Sequence, residues 1–285
     1  MKNEIGLLIK LSTANDINRK LKQAHELGFT SCQISTYKPE LYTYRNADII
    51  NECCKAFNIK ISLLWAGWPG KCKWNFVGGP STIGLVPLEV RKERAAIMKE
   101  ASDFASLIDV DRIATHAGFI PEDMNDPLYV SLIPVLRNCA DYCRRNGQFF
   151  CFETGQETPV TLLRTIQDID MENVGVNLDP ANLVMYGKSN AVDAVRILGK
   201  YIKGVHIKDG RYPTNGRDLG IEVPIGVGDV DMTRFLKALE NVGYKDPLTI
   251  EIELDRRVGK ENSDSAIRFA VEYLRSYQCR KNKKN

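Results

Sequence analysis

The chain has no Cys-x-x-Cys pair, although it carries eight cysteines. Cys32, Cys53, Cys54, Cys72, Cys139, Cys143, Cys151 and Cys279 fall mostly inside helical or strand patterns, so they read as reduced thiols in a reducing cytosol. Cys139 and Cys143 are four apart on a helical pattern, but no second pair of soft ligands lies near them in sequence. They read as small buried hydrophobes rather than a zinc clamp. A large excess of one charge is also missing, with 39 Lys and Arg against 36 Asp and Glu, so no strongly cationic surface points to nucleic acid as a partner. No apolar run approaches membrane-spanning length, and the segment from Met1 to Lys10 lacks the core and cleavage site of a secretory signal. A soluble, cytoplasmic protein with no membrane partner is expected.

What is present is an alternation. At 285 residues and 44% hydrophobic composition the chain can bury one large core. Short apolar runs at Glu4–Ile9, Ser31–Thr36, Ile59–Trp65, Arg112–His116, Gln148–Glu153, Gly175–Asp179, Gly204–Lys208 and Leu248–Glu253 read as strands. Helical stretches follow them at Ala14–Leu27, Asp48–Phe57, Glu89–Ile108, Pro127–Asn146, Pro159–Gln167, Ala191–Lys200, Asp231–Val242 and Ser263–Tyr277. Eight β/α units predict an α/β fold, a single (β/α)8 TIM barrel over residues 1–279, with a basic tail at 280–285. Two connectors, Ala66–Leu88 and Asp209–Val230, are too long for simple turns, and both follow strands, which places them over the active face of a barrel.

Side chains alternate between the two faces of a strand, and in the last four strands one face is apolar while the other ends in an acid or a histidine. Phe150 and Phe152 oppose Glu153; Val176 and Leu178 oppose Asn177 and Asp179; Val205 and Ile207 oppose His206 and Lys208; Ile250 and Ile252 oppose Glu251 and Glu253. Singly, each has an ordinary reading: a strand-end acid, a turn aspartate before Pro180, a hydrogen-bonded core histidine. Jointly, Glu153, Asp179, His206 and Glu251 would converge inside a barrel, where ionised groups need a partner to offset desolvation. One divalent cation would serve. Mixed oxygen and nitrogen donors suit manganese, magnesium, zinc or iron, with manganese favoured.

These segments resemble a known family. Phe152-Glu153-Thr154-Gly155-Gln156-Glu157, Asn177-Leu178-Asp179-Pro180-Ala181-Asn182, Gly204-Val205-His206-Ile207-Lys208-Asp209 and Leu248-Thr249-Ile250-Glu251 are similar to the xylose isomerase-like barrel superfamily, within it to the sugar phosphate isomerase/epimerase group that includes ketose 3-epimerases. Ala114-Thr115-His116-Ala117-Gly118-Phe119 and Pro224-Ile225-Gly226-Val227-Gly228-Asp229 extend the likeness over nearly the whole chain. The resemblance implies an isomerase or epimerase of a small sugar or sugar phosphate, with Glu153, Asp179, His206 and Glu251 as metal ligands. It also implies that Glu153 and Glu251 double as acid/base catalysts, moving a proton through a metal-stabilised enediolate.

The chain departs from the ketose 3-epimerases at Asn182, where they carry histidine three residues after the metal-binding aspartate. The family's substrate arginine falls on Arg211 or Arg217, with Arg211 the nearer, and Glu253 competes with Glu251 as ligand. His116, Trp65, Trp68 and Glu157 complete the candidate substrate contacts, each with a structural alternative in burial, loop packing or a helix start. Lys208 would pair with a carboxylate or bind substrate. No Gly-rich phosphate fingerprint stands out, so phosphorylation of the sugar stays open, as does assembly into a homo-oligomer. Three other readings compete. A dehydratase of an inositol-derived ketone would use the same site, and a silent sugar-binding barrel would not explain the converging acids. A three-zinc endonuclease would need more histidine than His25, His116 and His206.

Overall fold

The alternating units close into a ring in the computed structural model, which describes residues 2–253 and 260–282. Its parallel strands are β1 (Ile5–Leu11), β2 (Ser31–Thr36), β3 (Lys60–Ala66), β4 (Arg112–Thr115), β5 (Phe149–Glu153), β6 (Val174–Leu178), β7 (Ile202–Ile207) and, after a short antiparallel pair formed by β8 (Asp209–Gly210) and β9 (Glu222–Val223), β10 (Leu248–Ile250). Closure comes from β1, which pairs with both β2 and β10. The outer layer is built from α1 (Asp16–Glu26), α2 (Tyr44–Phe57), α4 (Leu88–Leu107), α5 (Pro127–Arg145), α6 (Pro159–Ile169), α8 (Ala191–Leu198), α9 (Met232–Asn241) and α10 (Lys260–Asn282), with two short helices, α3 (Gly79–Thr82) and α7 (Pro180–Met185), over the C-terminal face.

Helix starts follow local chemistry. Thr158 caps α6 by accepting the Thr161 N–H, with Pro159 in the first turn. Helix α2 begins at Tyr44, four residues before the expected Asp48, because extended Thr43 accepts the Asn46 N–H. Helix α10 runs through Asn282, past the expected Tyr277 and into the segment read as a tail.

Strand parity separates two apolar layers. Phe150 and Phe152 join the large core between barrel and helices. Leu63, Trp65, Ala114 and Cys151 form a small separate cluster on the opposite, inward faces. Much of the remaining inward surface is polar, with Ser31, Gln33, Asn177 and Thr249 all buried, where bulky branched residues are the norm.

The two long connectors are tied down. Arg94 of α4 donates to the carbonyls of Gly84 at 2.6 Å and Thr82 at 3.0 Å, and its guanidinium stacks 4.5 Å from the Trp68 ring. The later loop is organised by Asp209, whose carboxylate accepts the N–H groups of Gly210, Gly226, Gly228 and Val230 at 2.8–3.1 Å. Gly228 has to be glycine, since a Cβ there would lie 2.1 Å from Asp209 Oδ1. Asp209→Ala, which leaves these donors without their acceptor, is expected to cost about 3 kcal/mol, read as a lowered urea midpoint. An unchanged midpoint would show that water replaces the carboxylate.

Candidate metal centre

Four barrel positions project into the C-terminal mouth. Glu153 ends β5; Asp179, one residue past β6, caps α7 by accepting the Asn182 N–H; His206 lies near the end of β7; Glu251 follows β10. These strands are consecutive in the ring, β5-β6-β7-β10, so the four side chains form an arc with Glu153 and Glu251 at its ends. Thr154 fixes the spacing of the first two, because its hydroxyl donates to the Asp179 carbonyl at 2.9 Å and accepts the Asp179 N–H at 2.8 Å.

All four side chains are buried, and one donor atom from each lies within 4.8 Å of the others. His206 Nδ1 is 2.7 Å from Glu251 Oε2, 3.6 Å from Asp179 Oδ2 and 3.8 Å from Glu153 Oε2. Three of the converging atoms, Asp179 Oδ2, His206 Nδ1 and Glu251 Oε2, are buried and face one another, the imidazole nitrogen against both carboxylate oxygens. Two acids and an imidazole packed this way either share a proton on Nδ1 or hold a cation at their meeting point. Glu253, by contrast, is half exposed at the rim and pairs with Lys10 and Lys208. The cluster therefore draws in Glu251 and leaves Glu253 outside.

Charge supports the same conclusion. Lys208 Nζ lies 3.4 Å from Glu251 Oε1 and 3.8 Å from Asp179 Oδ2; with Glu253 set against Lys10, the three carboxylates of the cluster and this ammonium leave a charge of −2, which one divalent cation would balance. With no cation, protons supply the balance. Burial, reinforced by Glu251 and Asp179, pushes the Glu153 carboxyl up to about 8. Burial would lower the His206 pKa, but the Glu251 and Glu153 carboxylates outweigh it and hold the imidazolium well above its usual range.

A second ring of amides orients the four side chains. His206 Nε2 lies 2.9 Å from Gln33 Oε1, an acceptor, and 3.0 Å from Asn177 Nδ2, a donor; with the Nε2 proton given to the nearer Gln33, Nδ1 of the neutral ring is free to ligate. Gln33 Nε2 then donates to Asn177 Oδ1 at 3.4 Å, and Asn177 Nδ2 donates to Glu153 Oε2 at 3.2 Å. Asn182 Nδ2 donates to Glu153 Oε1 at 3.1 Å. Gln33 carries no charge to mark it in the sequence, although period-two reading of Ser31–Thr36 places it on the inward face with Ser31 and Ser35. Gln33→Leu is expected to weaken Mn2+ binding by about 10–100-fold, measured by calorimetry; wild-type affinity would mean that Nδ1 needs no fixed tautomer.

The cluster opens into a cavity of about 520 Å3. Trp65, His116 and Asn182 line it, as expected. His116 Nδ1 donates to the Glu153 carbonyl at 3.3 Å, and burial lowers its pKa to about 4, so the ring is neutral and its Nε2, 3.6 Å from Glu153 Oε1, can accept. Neither arginine candidate is brought in, nor is Glu157. Arg211 is exposed: its N–H pairs with the Ile221 carbonyl and its guanidinium turns outward to Val227 O. Arg217 does not line the cavity either, and Glu157 is buried behind it, where burial pushes its carboxyl up to about 8.

The loops contribute lining residues that spacing did not mark, among them Trp74 and Glu222. A bridge between Asn75 and Asp218, with the Phe76 N–H donating to Arg217 O at 2.9 Å, ties the two long loops together. Trp74 packs edge-on to His116 with centroids 5.6 Å apart, and Tyr37, Trp65 and Trp68 form a wall on the β2–β3 side with centroids 5.1–6.4 Å apart. Glu222, raised to about 7 by burial, accepts the Glu253 N–H at 2.9 Å.

Fold and site together define a parallel β/α barrel with a buried Glu/Asp/His/Glu cluster that can hold a metal at its C-terminal mouth. The sequence profile of the xylose isomerase-like TIM barrel family matches residues 21–277, and the chain belongs to that family. It is similar to a crystallised xylose isomerase domain protein from Planctomyces limnophilus, with 33% identity, TM-score 0.89 and 97% of each chain covered. Shared fold extends to a D-allulose 3-epimerase from Methylomonas sp. in complex with D-allulose, at 15% identity, TM-score 0.73 and coverage of 96% of this chain and 97% of that one. It also extends to a barrel from Mycobacterium smegmatis in complex with magnesium, at 18% identity, TM-score 0.66 and coverage of 93% and 90%. Among curated sequences, an uncharacterized protein of Methanocaldococcus jannaschii is 27% identical over 174 residues, and the match spans 57% of this chain and 57% of that protein. No helix among the described residues is long and apolar enough to cross a membrane.

Proposed function

We propose that this protein is a divalent-metal-dependent isomerase or epimerase of a small sugar or sugar phosphate. The observation that carries the reading is the convergence of buried donor atoms from Glu153, Asp179, His206 and Glu251, within 4.8 Å of one another, at the floor of a sugar-sized cavity. Glu153, Asp179, His206 and Glu251 would hold one cation, with manganese favoured by the mixed oxygen and nitrogen donors. When bound, that cation would lend Lewis acidity to a ketone and its neighbouring hydroxyl, making the adjacent C–H acidic.

The remaining work falls to the protein. Glu153 and Glu251, from the two ends of the arc, are the carboxylates that remove and return the proton. Tyr37, Trp65 and Trp68 offer an apolar wall to the C–H face of a sugar, and Asn182 and His116 Nε2 reach its hydroxyls. The Methylomonas relative with its bound ketose and the Mycobacterium relative with its magnesium support both halves of this reading.

The test is deuterium incorporation by NMR in D2O over a panel of ketoses, their phosphates and an inosose, with and without Mn2+. Metal-dependent exchange at a carbon beside the carbonyl, without change in product composition, is expected. Loss of water from the product would reassign the protein as a dehydratase. No exchange with any member of the panel would sink the proposal.

A further inference from the structure

Lys208, just past β7, reaches the same cavity with only 4% of its side chain exposed. Its ammonium lies 3.3 Å from Glu253 Oε2, 3.4 Å from Glu251 Oε1 and 3.8 Å from Asp179 Oδ2. Of these contacts the one to Glu253 is a hydrogen bond and the other two are longer ion pairs, so the ammonium is held in place without saturating its three N–H donors. Buried ion pairs are also a weak source of net stability, since desolvation offsets much of the attraction. A spare donor with a fixed positive charge, beside the proposed ligands and open to the cavity, is better accounted for by what enters the cavity.

Resting on the reading above, the geometry points to Lys208 as a catalytic residue, whose ammonium donates a hydrogen bond to the substrate oxygen on which negative charge develops. As a carboxylate takes the proton from carbon, the C–H electron pair becomes a C=C bond and the carbonyl π pair moves onto oxygen. Lys208 keeps its own proton throughout and stabilises that oxygen electrostatically. Carboxylate and substrate therefore exchange one proton and one negative charge, and the count closes without a further reactant.

Two readouts of opposite sign test the assignment in Mn2+-loaded protein. Lys208→Met removes a positive charge beside the cation site, so calorimetry should show Mn2+ bound several-fold more tightly and still one per chain. Exchange of the substrate α-proton at saturating Mn2+ should fall by about 10²–10³-fold, as on loss of one oxyanion donor. In Lys208→Ala, added methylammonium should restore exchange at least about tenfold by supplying the missing donor. Lys208→Gln gives a second neutral side chain, and thermal melts select a folded variant.

A purely structural pillar would move both readouts together, weakening Mn2+ binding as exchange is lost, with no rescue by the amine; that pattern overturns the assignment. So does near wild-type exchange in a folded neutral variant, while the isomerase reading survives. Absence of exchange in the wild-type protein on every sugar sinks that reading and this assignment with it.

Discussion

Replacing Glu153 by Gln is expected to slow exchange of a substrate's α-proton by about 10²–10⁴-fold, the contribution of a positioned acid or base. The substitution keeps the shape of the side chain and its place at the end of β5. It changes what the two amide neighbours meet: Asn177 Nδ2 and Asn182 Nδ2 each donate to one Glu153 oxygen, and Gln offers only one acceptor. One buried donor then faces another, at a cost of about 1–3 kcal/mol, which a folded barrel absorbs. Gln also removes one negative charge from the cluster and weakens cation binding, so exchange has to be measured at saturating Mn2+ with bound metal counted in the same sample. Glu251→Gln should lose a similar factor. The double variant should be little worse than either single one, because residues acting on the same proton are strongly non-additive. Full exchange in Glu153→Gln with metal bound would remove Glu153 from the mechanism.

The arc of candidate ligands could be read from the sequence because a strand has a period of two and a barrel has an inside. Once Phe150 and Phe152 are assigned to the helix-facing core, Glu153 has to point into the mouth, and the same step places Asp179, His206 and Glu251. Parity does not choose between Glu251 and Glu253, which share a face. Chain position does: β10 ends at Ile250, so Glu251 stays at the level of the cluster and Glu253 rises to the rim.

Contacts from outside regular structure were not legible. Trp74 and Glu222 enter the cavity because the two long loops are joined at Asn75 and Asp218, and no periodicity encodes a meeting of segments this far apart. Arg211 was favoured for its closeness to His206 in sequence, but the β8–β9 pairing beside it turns its side chain outward. Gln33 shows the opposite failure. Its placement followed from alternation, yet the run Ser31–Thr36 ends in no charge, and only the structure shows its amide oxygen 2.9 Å from His206 Nε2.

Removing the cation should reveal how the cluster balances its charge. Protein stripped with a chelator keeps Lys208 charged, because its carboxylate neighbours outweigh burial. Glu153, raised to about 8, and His206, raised above its ordinary range, then hold a proton each near pH 7. Returning Mn2+ has to expel both, since neutral Nδ1 and an ionised carboxylate are the forms that ligate. Calorimetry in buffers of different ionisation enthalpy should therefore report release of about two protons per chain. The sign of the pH dependence follows: protons compete with the cation below the folded pKa values, so affinity rises as pH increases through about 8. Bound metal also stabilises the fold, by about 2.7 kcal/mol when free Mn2+ stands at 100 times its Kd, which raises the thermal midpoint at pH 8 more than at pH 6 for the same added Mn2+. A midpoint indifferent to Mn2+ at both pH values, with no protons released, would mean that the four side chains neutralise one another and that no cation belongs among them.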